Sequence, residues 1–337
     1  MKVLIVSHSR DPYCPDLVAA ALKARGAEPI RLNTDQYPTS VRLNLAPSSA
    51  AERSELLTGP AGERFSLDEL GAIYFRRLAL ARNLPDEMPK PHKEAVYHEC
   101  YAVLQGMLAC SDAFQLDPFE RVYQADNKPL QLKLARQLGM TVPETLTSND
   151  PEAVRAFYHR FDGDIVAKPL RALTIRDDDV TRVMYTNRVR EEHLRQLDSL
   201  ANGPMTFQQY IPKALELRIT VVGERLFCGA VDSQRGDKSR VDWRRDGAGL
   251  REEWRPYPVP EEMRRRILRL MDALQLNYGA LDLIVTPAGE WVFLEINPAG
   301  EFVWMQTATG FPIADALAET LLGQAARRDA RRVASPA

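Results

Sequence analysis

No stretch of this chain is apolar for long enough to cross a bilayer, which excludes a membrane-spanning helix. Net charge is nearly absent: a formal −2 over 337 residues lacks the basic footprint that nucleic-acid binding requires. Cysteine is scarce. Cys14, Cys100, Cys110 and Cys228 include no C-x-x-C pair, and only His98 comes near one of them, beside Cys100. Neither a zinc site nor a disulfide framework is expected, and the chain reads as reduced and cytoplasmic. The opening MKVLIVSHSR holds a five-residue apolar run, a first strand rather than a signal peptide. The turn after it, Ser7-His8-Ser9-Arg10-Asp11, has no glycine, which argues against a nicotinamide-dinucleotide site. Internal repeats and low-complexity tracts are missing as well.

What is present suits two or three packed subdomains. The first third alternates strand and helix: Val3 to Ser7, a helix capped by Asp16 and stopped by Gly26, Pro29 to Leu32, and Ala72 to Phe75. This is βαβ logic and predicts a small parallel sheet. Helices are expected over Glu94 to Leu108, Asp126 to Leu138, Pro260 to Leu274 and Pro312 to Leu322. Short strands are expected at Ile165 to Lys168 and Thr206 to Ile211. Two hairpins follow, one turning on Gly223-Glu224 and one on Pro287-Ala288-Gly289. The latter half is therefore α+β with antiparallel sheets. The polar, Arg-rich end from Ala325 to Ala337 is expected to fray.

The strongest chemical signal is the second hairpin. Asp282 interrupts an apolar strand, and Glu295 and Asn297 stand at i and i+2 on its partner, so those two share a face. Hairpin pairing can add Asp282 to that face. Two carboxylates and an amide oxygen are hard ligands that suit Mg²⁺ held together with phosphates; the plain alternative is a half-exposed polar pleat. Lys128 opens a helix and Lys168 ends a strand, where an ammonium can meet phosphate. Alone, each reads first as a surface lysine, and their weight comes from combination with the hairpin acids. Gln208-Gln209-Tyr210-Ile211 runs into Pro212, and its backbone can read the edge of an adenine. Glu216 can accept from ribose hydroxyls, and Arg218 shares its strand face. Arg182 to Arg195 and Arg235 to Arg255 are Arg-rich; each suits an acidic partner, and the first reads as well as a solvated face.

In order along the chain, Lys128, Lys168, Gln208 to Ile211, Glu216-x-Arg218, Asp282 and Glu295-x-Asn297 resemble the ATP-grasp superfamily over about Asp126 to Leu322. Gln209 departs from the more common Glu. A narrower resemblance, to the microviridin or graspetide maturases that macrocyclise ribosomal peptides, spans nearly the whole chain. It rests on Arg31 to Pro38, Tyr74-Phe75-Arg76-Arg77, Ala125 to Leu132, Glu216 to Gly223, Asp242-Trp243-Arg244 and Trp304 to Ile313. Leu78 stands where Pro is usual, and Glu301-Phe302 where a Gly/Gln pair is usual.

The resemblance implies an ATP-grasp fold with an N-terminal pre-ATP-grasp domain at 1–115, a central lobe at 116–205, a C-terminal lobe at 206–325 and a flexible tail at 326–337. It implies ATP and two Mg²⁺ ions, the ions on Asp282, Glu295 and Asn297. The nucleotide would lie against Lys128, Lys168, the 208–211 hinge, Glu216 and Arg218. The partner would be a precursor peptide with leader and core, and the enzyme a homodimer. Arg218, Arg244 and Asp242 carry the catalytic roles on this reading, with Asp242 the general base. Arg244 and Arg77 face the acceptor carboxylate, and Arg235 to Arg251 closes as a loop over substrate. A ligase adding an amino acid to a peptide or protein, or a non-catalytic precursor-binding module, are the competing readings.

Overall fold

The computed structural model describes residues 1–328 apart from 12, 47, 49–53, 59–62, 171–173, 178, 179, 237, 238, 247 and 248. The opening apolar run forms the strand Lys2–Ser7 inside a parallel four-stranded sheet, ordered Glu28–Asn33, Lys2–Ser7, Leu70–Phe75, Phe114–Leu116. Its continuous hydrophobicity follows from burial on both faces. Val3 and Ile5 pack toward helix Tyr13–Ala24, whereas Leu4 and Val6 pack toward helix Lys90–Ala109. Asp16 lies inside the first turn of its helix rather than capping it, and Gly26 ends that helix with φ +74°. A three-stranded antiparallel sheet, Arg42–Asn44, Glu55–Thr58 and Glu63–Ser66, has no counterpart in the sequence reading.

The central sheet is antiparallel, in the order Asn187–Arg188, Ile165–Lys168, Met205–Gln209, Thr145–Ser148. Helix Pro151–Arg160, which the sequence reading lacked, covers one face through Val154 and Phe157 and is capped by Asp150. The hairpin Thr174–Asp177/Val180–Val183 stands beside it in sequence.

The larger antiparallel sheet has the order Arg255–Pro256, Arg225–Val231, Leu215–Val222, Tyr278–Val285, Trp291–Asn297. Both expected hairpins are here, the first turning at Gly223 with φ +58°, where a Cβ would come within 2.7 Å of the Ala326 carbonyl oxygen. Helix Glu261–Leu274 lays Met263, Ile267, Leu270 and Met271 on one face. Helix Lys128–Gln137 packs on that same face. Asn127 caps it by accepting from the Leu130 N–H, and buried Gln131 bonds both the N–H and the carbonyl of Ile296. Helix Ile313–Leu321 packs between this sheet's other side and the N-terminal sheet.

Asp117, fully buried at the end of the N-terminal sheet, accepts from the Asn277 backbone and side chain and from the Tyr278 N–H at 2.8–3.1 Å. It ties that sheet to the start of the strand carrying Asp282, and burial pushes its carboxyl up to about 6. Fraying does not begin at Ala325. Arg327 stacks 3.7 Å over Phe114, and Arg328 bonds the Gly223 and Leu268 carbonyls at 3.0 and 2.9 Å. The rest of the expected tail, 329–337, lies outside the described residues.

Candidate active site

Between the central sheet and the large sheet lies a cleft of 660 Å³, into which the second hairpin turns its acids. Asp282 pairs directly with Glu295, and Ala280 with Asn297, so all three polar side chains share one face. A β-bulge makes this possible. From the turn, Val285, Ile284 and Leu283 pair with Trp291, Val292 and Phe293, and then Leu294 is left unpaired. A regular ladder would set Leu294 opposite Asp282 and send Glu295 and Asn297 into the core; the extra residue shifts the parity. Leu294 and Glu295 consequently both line the cleft, while Phe293 and Ile296 stay in the core.

The acids meet the expected cations. Lys128 Nζ lies 2.7 Å from Glu295 Oε2. Burial alone would raise the Glu295 pKa, but Lys128 and Lys168 outweigh it and hold the carboxyl at about 2. Arg218 Nη1 spans both Asp282 oxygens at 2.9 and 3.0 Å, and its buried Nε has no acceptor. Lys168 differs from these. Its ammonium makes no ion pair or hydrogen bond among the described residues, and burial depresses its pKa. It is a desolvated cation directed to a cleft, with the geometry of a phosphate ligand. Among the described residues no three His, Cys, Asp or Glu side chains form a ready-made metal site. Two carboxylates and an amide fit Mg²⁺ only when substrate phosphates complete its oxygen shell. Asn297 Oδ1 also accepts from the Ala299 N–H at 3.0 Å, which fixes its orientation. At Gly300 in the same turn, a Cβ would lie 2.8 Å from Arg218 Nη2.

The hinge is narrower than the sequence suggested. The N–H groups of Gln209 and Tyr210 donate to Glu144 and Asp164 carbonyls, both at 2.8 Å, and the Gln208 amide donates to Thr145 Oγ1. The Ile211 N–H alone of this stretch has no acceptor among the described residues. Arg188 lies 4.0 Å over the Tyr210 ring, which gives one arginine of the 182–195 stretch a local partner. Glu216 lines the cleft but is already matched by Lys213 Nζ at 2.6 Å, a residue the sequence reading passed over.

In Asp242-Trp243-Arg244 the carboxylate is buried and the guanidinium is half-exposed. Asp242 is 5% exposed and grips Arg244 bidentately, Nε to Oδ1 at 2.8 Å and Nη2 to Oδ2 at 2.7 Å, and also accepts from the Thr186 N–H. Burial would raise the Asp242 pKa, yet Arg244 holds it below the usual carboxylate range. A carboxylate so engaged accepts a proton poorly, and its two bonds fix the orientation of the Arg244 guanidinium. Trp243 meets Trp254 edge-on and Trp304 at a tilt, ring centroids 5.3 and 5.1 Å apart, within the stretch read as a loop over substrate. Arg77 lines the cleft, 3.8 Å or more from its nearest acids. Its neighbour Arg76 is the buried one, bonded to Asp11, Glu301 and the Gly300 carbonyl. Burial holds Cys14 and Cys228 as thiols, each pushed up to about 12, so neither serves as a nucleophile.

A lysine-bearing central sheet facing an acid-bearing antiparallel sheet, behind a small parallel sheet, defines an ATP-grasp ligase. Residues 2–123 match the family described as the MvdD pre-ATP grasp domain. Over the full chain the fold is similar to macrocyclase MdnC of Microcystis aeruginosa MRC, solved with its precursor peptide MdnA. The two share 41% identity at TM-score 0.86, over 96% of this chain and 100% of that one. A RiPP-associated ATP-grasp ligase of Chryseobacterium gregarium, solved with ADP and a leader and core peptide, is 35% identical at TM-score 0.92, over 97% and 98%. Macrocyclase MdnB of the same Microcystis strain is 33% identical at TM-score 0.79, over 95% and 99%. No curated protein matches the chain. This chain belongs to the RiPP-associated ATP-grasp ligases, the family of these macrocyclases.

Proposed function

We propose that the enzyme activates Asp or Glu side chains of a ribosomal precursor peptide with ATP and closes them into ω-ester or ω-amide rings. A side-chain carboxylate oxygen forms a bond to the γ-phosphorus as the bond to ADP breaks. A Ser/Thr hydroxyl or Lys amine of the same peptide then attacks the acyl carbon. Phosphate leaves, and the nucleophile gives up its proton. The observation that carries this reading is the unpaired, desolvated Lys168 beside Lys128, facing Asp282 and Glu295 across one cleft that also holds Arg244.

On this reading Lys128, Lys168 and Arg218 neutralise the phosphates. Ile211 N–H reads the adenine edge, flanked by Gln208, Gln209 and Tyr210, and Glu216 takes the ribose. Asp282, Glu295 and Asn297 hold two Mg²⁺ ions, which supply charge neutralisation at the transferring phosphoryl group. Arg244, with Arg77 the second candidate, receives the acceptor carboxylate against the repulsion of the triphosphate. The structures of relatives with ADP and with leader and core peptides support the nucleotide and peptide assignments. The division 1–115, 116–205 and 206–325, a homodimer and a cytoplasmic setting belong to the same proposal.

The decisive experiment is co-expression with a short neighbouring reading frame rich in Asp/Glu and in Thr, Ser or Lys, read by mass spectrometry. Loss of one water per ring is expected. Gain of an amino-acid residue would establish the amino-acid ligase instead. No ADP release on adding the peptide would establish a binding module. Separately, Lys168→Ala is expected to weaken Mg–AMPPNP binding by about 10- to 100-fold, the scale of one lost charge-assisted hydrogen bond. Unchanged affinity by calorimetry removes Lys168 from the phosphate site.

A further inference from the structure

Lys213 is a buried ammonium that no step above uses. It follows directly on the hinge, Ile211-Pro212-Lys213, and lines the cleft with its side chain 6% exposed. Burying a lysine is costly unless it is paired, and this one is paired twice. Nζ meets Glu216 Oε1 at 2.6 Å and donates to the Val241 carbonyl at 3.2 Å. Glu216 is itself almost wholly buried, so each charge supplies most of the other's compensation. Glu216 fixes where the ammonium sits; the ammonium in turn fixes the Val241 carbonyl, one residue before Asp242.

We infer that Lys213 is a positioning residue: it locks the Val241–Arg244 segment to the nucleotide hinge and thereby holds Arg244 in place for the acceptor carboxylate. This inference rests on the reading of Arg244 given above.

Three contacts set that segment. Thr186 N–H donates to Asp242 from the central lobe at 3.1 Å. Trp243 is wedged among Trp254 and Trp304. The third contact is Lys213, which arises from the loop between the strands Met205–Gln209 and Leu215–Val222. Asp242 holds the Arg244 guanidinium by two bonds, so a shift of the backbone at 241 moves the guanidinium with it. A serine network continues behind: Ser239 Oγ donates to the Ser233 carbonyl at 2.8 Å and is fully buried. The segment is thus rigid on its far side and depends on Lys213 on the cleft side.

Hydrogen exchange read by mass spectrometry tests this without any peptide. In Lys213→Met, amides around Asp242–Arg245 are expected to exchange about tenfold faster than in the unaltered protein. AMPPNP affinity should stay within about threefold, and Lys213→Arg, which retains charge and donors, should restore protection. In turnover with peptide, the peptide KM should rise about tenfold while the KM for ATP holds, a split that general destabilisation does not produce. Should K213M fail to fold, the double variant K213M/E216Q leaves no unpaired buried charge, and its exchange without nucleotide gives the same readout. Unchanged exchange around 242–245 in either variant overturns the inference. A tenfold or greater loss of AMPPNP affinity with unchanged exchange also overturns it, making Lys213 a nucleotide ligand. The exchange result stands or falls independently of whether the peptide is macrocyclised.

Discussion

Glu295→Gln is expected to lower kcat/KM by about three orders of magnitude while metal-free nucleotide binding is retained or tightened. Glu295 pairs with Lys128 at 2.7 Å, and Lys128 and Lys168 together hold its carboxyl at about 2. It is the counter-charge of Lys128. On the proposed assignment the phosphates would compete for the lysines and leave the carboxylate to metal. Removing its charge leaves the lysines freer to bind phosphate yet takes away a metal ligand. A loss of about 10³ in rate, ~4 kcal/mol, is the scale seen when one preorganised transition-state contact is deleted. Calorimetry with AMPPNP, with and without Mg²⁺, separates the two effects. Thermal unfolding checks that the variant, now with two uncompensated ammonium groups, is folded under assay conditions. Normal turnover would remove Glu295 from the metal site.

The second large effect is expected at Arg244. Arg244→Ala should leave nucleotide affinity within about twofold and cut product formation by about 10²- to 10³-fold. The reason is electrostatic. A peptide carboxylate must come close to a triphosphate in a cleft where water screens poorly, and Arg244 brings a positive charge that is already oriented by Asp242. Two of its nitrogens are spent on Asp242, while Nη1 has no partner among the described residues. Lysine cannot reproduce this fork, so Arg244→Lys should recover little. Asp242→Asn should show a weaker form of the same defect. If Asp242 were instead the proton acceptor, its variant would change the shape of the pH–rate profile. A normal macrocycle from the Arg244→Ala enzyme would reject the acceptor-side role.

The places where the sequence was legible share a physical feature: their signals are local. The parallel N-terminal sheet follows from a continuous apolar strand and a helix stopped by Gly26. The two large hairpins follow from apolar runs joined by short turns. Lys128 was readable because Asn127 and Pro129 mark a helix start, and Lys168 because it ends a short apolar strand. The misses around the cleft are non-local, whereas helix Pro151–Arg160 and the sheet between 42 and 66 are local elements that were passed over. Lys213 was passed over, since its partners, the Glu216 carboxylate and the Val241 carbonyl, are brought to it by folding. Arg76 and Asp117 bridge positions more than 150 residues away, Gly300 and Glu301 for one, Asn277 and Tyr278 for the other. The small sheet between 42 and 66 lacks strong alternation, and the tryptophan cluster gathers residues 243, 254 and 304, which share no periodicity.

The sequence by itself determined that Glu295 and Asn297 share a face, because alternation along a strand depends on nothing beyond the strand. It also determined which residue types were on hand: hard oxygens late in the chain, ammonium groups earlier. Which way those oxygens point was decided only by the tertiary structure. One unpaired residue, Leu294, reverses the parity of the strand, and whether a ladder absorbs an extra residue depends on the packing of both faces at once. The same holds for Asp242, whose residue type fits a base and whose surroundings make it a clamp: its burial and its grip on Arg244 exist only once the chain has folded.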